Sequence, residues 1–328
     1  MQKNLKFIIG LLLPIIIAQG AFAQLWPGPH PLFSPNYKLS VDGNISSQVD
    51  TLEKKFGYEK AEGSFSIPLY TGKDWLTSTG NTPLIGVTLQ GKASVLQPEG
   101  GFLEKDMRLF RGRLGGNLIY SSGLRNLYML NVQGIIAREL KSFNFSGIYI
   151  NGSAFWRYRK NDQFGWTLGL LYTSSFGKNR ILPLAGFNYR PTKEDLISVL
   201  LPSFIQYTHF LSNAKSVSVA IKPNGGFYTL NFPVNDSVIL KDIIFRHRNI
   251  LISGTFHFKL SYQLTIEPEA GWQSNTRLFI DENKYTATSS LFAKIMIRYK
   301  FGQRANVAPI LDFDPTDFTT SDPEIPEN

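Results

Sequence analysis

The chain contains no cysteine. This excludes disulfide frameworks, thiol catalysis and cysteine-ligated metal centres together. Histidine is scarce, with four residues in 328, and one His near two separated Glu is no metal-ligand spacing, so neither metal nor cofactor is expected. Past the amino terminus no run approaches the roughly 18 apolar residues of a membrane-spanning helix, which excludes a helical membrane protein. There is also no zinc-finger spacing, phosphate-binding glycine loop or basic stretch interleaved with aromatics. The net charge of +9 therefore does not point to nucleic acid.

What is present begins with "MQKNLKFIIGLLLPIIIAQGAFAQ". Two lysines, an apolar core and the triplet Ala21-Phe22-Ala23 make the three-part pattern of a cleaved secretory signal over residues 1–23. The core is too short, and too interrupted by Gly10 and Pro14, to serve as a transmembrane anchor. No cysteine follows the cleavage site, so a lipoprotein is not expected. Residues 24–35 read as an extended, turn-rich periplasmic lead, with prolines that hold their neighbours out of helix. At the other end, residues 302–328 set Arg304 against Asp312, Asp314, Asp317, Asp322, Glu324 and Glu327. That segment reads as a disordered acidic periplasmic tail on a basic body.

Between these ends apolar residues recur at every second position. In "MRLFRGRLGGNLIY" Phe110, Leu114, Leu118 and Tyr120 share one face, while Arg111, Arg113 and Asn117 share the other. "FGWTLGLLYT" sets Phe164, Trp166, Leu168, Leu170 and Tyr172 against Gly and Thr. In "SYQLTIEPEAGWQ", Tyr262, Leu264, Ile266 and Trp272 oppose Gln263, Glu267 and Glu269. In the last such segment Ile295, Ile297, Tyr299 and Phe301 oppose Lys294, Arg298 and Lys300. A period of two is a strand with unlike faces. Each segment has the ~9–11 residues that a tilted strand needs to cross a bilayer, with aromatics bounding the apolar face as at membrane interfaces. A water-soluble sandwich would bury its large side chains between two sheets instead.

These patterns predict strands near 36–47, 56–70, 84–96, 107–120, 125–137, 143–158, 164–174, 180–190, 196–210, 215–222, 225–232, 243–259, 262–273 and 286–301. The expected fold is all-β: a transmembrane, antiparallel up-and-down β-barrel over residues 36–301 with about 14 strands, about 12 being the alternative. Even-numbered strands are followed by short connections such as "SSG", "KND" and "PNGG", and odd-numbered ones by longer connections. This is the asymmetry of periplasmic turns and external loops. "TGKDWLTSTGNTP" breaks the rule.

On these residues the chain resembles a Gram-negative outer-membrane β-barrel. Ile297, Tyr299 and Phe301 resemble the alternating C-terminal signal read by the barrel-assembly machinery, although here a tail follows Phe301. "LPLAGFNYRPTKEDLISVLLPSF" resembles a Bacteroidota barrel family catalogued only as a domain of unknown function. The resemblance implies architecture and an outer-membrane location, and no activity.

The inner face supplies the site candidates. Lys92, Arg111, Arg113, Asn117, Lys294 and Arg298 are expected to line the lumen, where cations bias permeation or pair across the space. Ser253, Thr255 and His257 share that face. A turn at Leu260 to Tyr262 would set Thr255 opposite Glu267 and Ser253 opposite Glu269. Interface aromatics are Phe110, Tyr120, Phe164, Trp166, Tyr172, Tyr262, Trp272, Tyr299 and Phe301. Arg246 and Arg248 are expected at the loop-side rim, beside anionic lipopolysaccharide. Barrel lipid hydrolases use residues two apart on one strand face. His209 and Ser212 are three apart, so no catalytic residue is expected. Two functions follow. The first is a passive outer-membrane channel or transporter for small solutes with a polar, partly basic lumen. The second is a non-conducting structural, adhesion or lipid-organising barrel. The expected partners are membrane lipid, lipopolysaccharide and the assembly machinery.

Overall fold

Strong alternation leaves each segment one favourable arrangement, with the apolar set on one side of a pleated strand and the polar set on the other. In the computed structural model every long segment takes it. The structure describes residues 36–44, 47–49, 54–71, 84–100, 107–122, 125–140, 148–173, 179–233, 240–261, 263–280, 283–287 and 289–300. The expected signal, lead and tail, with Tyr262 and Phe301, lie outside them.

The strands are β1 (Asn36–Asn44), β2 (Ser47–Val49), β3 (Lys54–Thr71), β4 (Leu84–Gly100), β5 (Leu109–Ser122), β6 (Asn126–Glu139), β7 (Tyr149–Arg159) and β8 (Phe164–Thr173). They continue as β9 (Arg180–Tyr189), β10 (Asp195–Leu201), β11 (Phe204–Ser212), β12 (Lys215–Pro233), β13 (Leu240–Lys259), β14 (Leu264–Ile280), β15 (Asn283–Ala287) and β16 (Ser290–Lys300). From β2 to β15 sequence neighbours pair antiparallel, while β1 pairs with β3 rather than β2 and β16 with β14 rather than β15. β1 pairs with both β3 and β16, from Asn36↔Lys300 to Asn44↔Phe292, and so closes the sheet on itself. The short β2 continues the β1 stave, and β15 continues the β16 stave. The result is a closed barrel of 14 staves. Closure pairs the first stave with the last and so removes the two terminal edges, which suits an apolar solvent that cannot satisfy backbone polar groups.

The agreement in strand number conceals two compensating errors. The segment expected as one strand over 196–210 is the hairpin β10–β11, turning at Pro202-Ser203 after a cis Leu201–Pro202 bond. The two strands expected at 215–222 and 225–232 are the single 19-residue β12. Pro223-Asn224-Gly225-Gly226 reads as a turn, yet it stays extended and pairs with Ile250, Asn249, Arg248 and His247 of β13. Proline survives there because β11 leaves β12 after Ile221, so this stretch is a sheet edge, where a missing N–H costs no ladder bond.

Side chains sort by face. Leu114, Leu118, Leu130, Val132, Leu168, Leu170, Ile252, Ile295 and Ile297 are exposed on the outside, while Asn117, Asn131, Gln133, Thr167, Ser253 and Glu269 are buried on the inside. So large an apolar surface is intolerable in water and ordinary in lipid. Aromatics ring its short-turn end. Tyr120 lies 5.9 Å from Tyr128, Trp156 5.5 Å from Trp166, Tyr158 6.2 Å from Trp166, and Phe164 6.2 Å from Phe187, as ring centroids. Such a girdle belongs at a membrane–water boundary.

Candidate functional site

The lumen wall is built around three carboxylates, two of them between a pair of lysines and the third between an arginine and a histidine. Glu62 takes Lys60 at 2.8 Å and Lys92 at 2.7 Å. Glu269 takes Lys222 at 2.6 Å and Lys294 at 3.8 Å. Glu267 takes Arg298 at 3.4 Å and His257 Nδ1 at 3.5 Å, and the other ring nitrogen of His257 lies 2.9 Å from Ser218 Oγ. The acids are buried and their partners less so, which keeps the basic heads nearer the open space than the carboxylates. Further along the wall Asn117 donates to Thr88 Oγ1 at 2.9 Å and accepts from Asn131, and Asn249 donates to Gln273. These pairs answer the polar inner face stave by stave.

An apolar cluster crosses the loop-side half of the lumen. Above Ile221, β12 parts from β11 while it stays paired with β13, and its Thr229 meets Arg138 of β6 as a parallel bridge. Both faces of β12 are buried there, and its Phe227, Tyr228 and Leu230 pack with Phe245 of β13 and with Tyr58, Leu96, Met107, Leu109, Ala137 and Leu278 into one apolar cap. Arg111 fastens it: Nη1 donates to the Gly225 carbonyl at 3.4 Å, and the guanidinium stands 5.6 Å from the Phe227 ring centre. His247 lies beneath, stacked 6.2 Å from Tyr228 and tilted 6.1 Å from Tyr58. Between the cap and the wall remains a polar space of about 30 Å³, lined by Lys60, Lys92, Arg111, Arg113, Asn224 and His247 among others. That is room for roughly two waters.

A second apolar cluster lies inside, on the other wall. It comprises Ile119, Leu127, Met129, Phe155, Leu184 and Leu200, with Leu171 and Phe204 against it.

All eleven lumen candidates sit on inward positions, but not in one place. Lys92, Arg111 and Arg113 border the capped space, Asn117 belongs to the amide ladder, and Ser253, Thr255, His257, Glu267, Glu269, Lys294 and Arg298 lie on the β13–β14–β16 wall. The expected register there is off by two. Thr255 faces Glu269 and Ser253 faces Gly271. The turn is longer than expected: Leu260 and Ser261 both donate backbone N–H to the Leu264 carbonyl, and Ser261 Oγ accepts from the N–H of Gln263 and Leu264. Ser218, Lys222, Lys60 and Glu62 were missed. The false strand break at Pro223 hid the first two, and nothing local marked the others. Arg246 and Arg248 flank Phe279 at 5.3 Å each, at the loop-side end of β13. His209 bonds Asp195 at 2.9 Å on the outer face, while Ser212 Oγ accepts from Ala214 N–H, so the two do not meet. Phe110, Tyr120, Phe164, Trp166, Tyr172, Trp272 and Tyr299 lie on outward positions. Among the described residues no group of His, Asp and Glu is placed to hold a metal.

Residues 54–308 match a family described as a domain of unknown function, DUF6268. The chain belongs to the DUF6268 family. No curated protein matches it. Similar solved structures include the COG4313 outer membrane channel from Pseudomonas putida F1, at 7% identity over 84% of this chain and 97% of that one, TM-score 0.44. The TodX monoaromatic hydrocarbon channel deltaS2 mutant matches at 12% identity over 82% and 91%, TM-score 0.42. The Ralstonia pickettii toluene transporter TbuX matches at 9% over 82% and 90%, TM-score 0.38. With TM-scores below 0.5, none of these likenesses bears on what the DUF6268 chain carries or binds.

Proposed function

We propose that this DUF6268 protein is a non-enzymatic, capped channel for small solutes in the outer membrane of a Gram-negative bacterium, reached through a cleaved signal. Two features favour the outer membrane: an apolar band with an aromatic girdle, and a closed up-and-down barrel of even strand number. The similarity of residues 182–204 to Bacteroidota barrels suggests that phylum. Lipid and lipopolysaccharide are its surroundings, with Arg246 and Arg248 at the rim offered to phosphate, and the barrel-assembly machinery would insert it.

The observation that carries the channel reading is the inner wall. It is hydrophilic on most staves and organised by ion pairs, as a water-filled route requires. The cap favours a second reading, a non-conducting barrel, because it fills part of the loop-side half with side chains that exclude water.

Single-channel recording of wild type beside Phe227→Gly/Tyr228→Gly separates the two. Wild type is expected to be quiet or to open briefly, and the variant to conduct steadily. Silence from both, with each barrel folded by heat-modifiable mobility, would leave the non-conducting reading standing.

A further inference from the structure

The wall of this barrel is not of one height. β10 has 7 residues, short of the roughly 9–11 that cross a bilayer. Its tip residue Leu201 pairs with Ala185 of β9, only about 13 Å along the strand from Tyr189 in the aromatic girdle at roughly 3.3 Å per residue. Tilt reduces that further, so the hairpin tip ends inside an apolar band about 25 Å tall. The tip is composed for that place: "VLLPSFI" has no charge, and Leu201 and Ile205 are about half exposed, at 52% and 45%.

Above the tip the two flanking strands have open sides. Residues 180–184 of β9 pair with β8, and among the described residues they take no ladder partner on the β10 side. β12 above Ile221 pairs with β13 and leans inward to β6. Pro183 and Pro223 stand on these two open stretches, where proline belongs and where a continuous wall would reject it. Behind the gap lies the inner apolar cluster, to which Leu184, Leu200 and Phe204 belong. Ile181, on the lipid side of the same strand, is 68% exposed. Apolar side chains therefore follow one another from the outer face, over the hairpin, to the buried inner cluster, with no charged residue at the hairpin tip.

We propose that the gap above the β10–β11 hairpin is a lateral port, through which an alkyl chain in the membrane reaches the inner cluster of Leu184, Leu200, Phe155 and Phe204. The inference rests on the membrane-spanning reading above, and it names a ligand class, unbranched apolar chains, that the polar wall does not serve. The chain belongs either to a bilayer lipid or to a free apolar molecule dissolved in the bilayer.

The absence of cysteine makes the test direct. Single Leu184→Cys and Leu200→Cys variants, labelled with a nitroxide in vesicles, are compared with Ile181→Cys on the outer face and Ser66→Cys on the opposite inner wall. The port predicts that the 184 and 200 labels resemble 181, with relaxation enhanced by oxygen more than by a water-soluble nickel complex, while the 66 label does not. Broadening by a phospholipid with a doxyl group on its acyl chain identifies bilayer lipid as the occupant. Broadening by a doxyl-bearing alkane alone identifies a free apolar molecule. Labels at both 184 and 200 that respond to nickel, or to neither reagent, would overturn the port whatever the conductance shows. Silence from both wild type and the Phe227→Gly/Tyr228→Gly variant, with lipid-accessible inner labels, would refute the channel and keep the port.

Discussion

Arg111 and Phe227 hold two opposite walls of the barrel together: the guanidinium stands 5.6 Å from the ring centre and its Nη1 donates to the Gly225 carbonyl two residues before the ring. Of the two roles that the sequence offers this arginine, biasing permeation or pairing across the lumen, its contacts are those of a cross-lumen fastener. Cation–ring contacts of this kind contribute about 0.5–2 kcal/mol, more as water is excluded.

Arg111→Ala should therefore loosen the cap without unfolding the barrel. A cost of about 1–2 kcal/mol raises the population of cap-open molecules roughly 5–30-fold. Hydrogen exchange at residues 224–232 should quicken by that factor while residues 164–173 stay unchanged. Uniform acceleration would mean that the arginine supports the whole barrel.

Glu269 is the pivot of its wall, with Lys222 at 2.6 Å and Lys294 at 3.8 Å. Glu269→Gln leaves two lysines facing a neutral amide and should cost about 1–3 kcal/mol, less than the roughly 3–5 for a fully buried pair because both lysines are partly exposed. Urea unfolding in detergent micelles gives the number. Adding Lys222→Met should restore part of the loss, which a purely packing role for Glu269 would not allow.

The lipid face makes an independent prediction. Leu168 is 42% exposed midway between Phe164 and Tyr172 on β8. Leu168→Arg should destabilise the folded barrel by about 2–4 kcal/mol, as arginine near a bilayer midplane does. An unchanged unfolding midpoint in vesicles would place this wall in water.

Ser261 sets the turn that fixes the β13–β14 register, through Oγ bonds from two backbone N–H groups. Ser261→Ala should cost about 0.5–1 kcal/mol, read as a lower unfolding midpoint. The wall contacts of Glu267 and Glu269 should survive, since a two-residue slip would separate each acid from its cations.

Alternation made most of this fold legible in the sequence, because one face in lipid and one in a polar interior is a strong constraint on each strand. Legibility failed where a local signal and a tertiary fact disagreed. Pro223-Asn224-Gly225-Gly226 carries every mark of a turn, and only the departure of β11 turns it into tolerated edge strand. Leu200-Leu201-Pro202-Ser203 hides a real turn because its neighbours are apolar on both sides, as suits a tip that ends in the hydrocarbon. The inner cations were readable by face, but their partners depend on registers between distant strands. Ser218 meets His257 across 39 positions, and Arg111 meets Gly225 across 114.

The seam between β1 and β16 differs in kind from the other joints. Each other wall joint links staves consecutive in the chain, whereas Asn36 finds Lys300 only after the whole barrel lies between them. Closing that loop costs chain entropy that no local contact repays in advance, so the seam should be the last joint to form and the slowest. A chain recut at the Asn213-Ala214 turn, with its present ends joined, would keep the same walls and move that delay to β11 and β12. The order in which this barrel assembles is thus a property of where the polypeptide starts, separable from the shape it reaches.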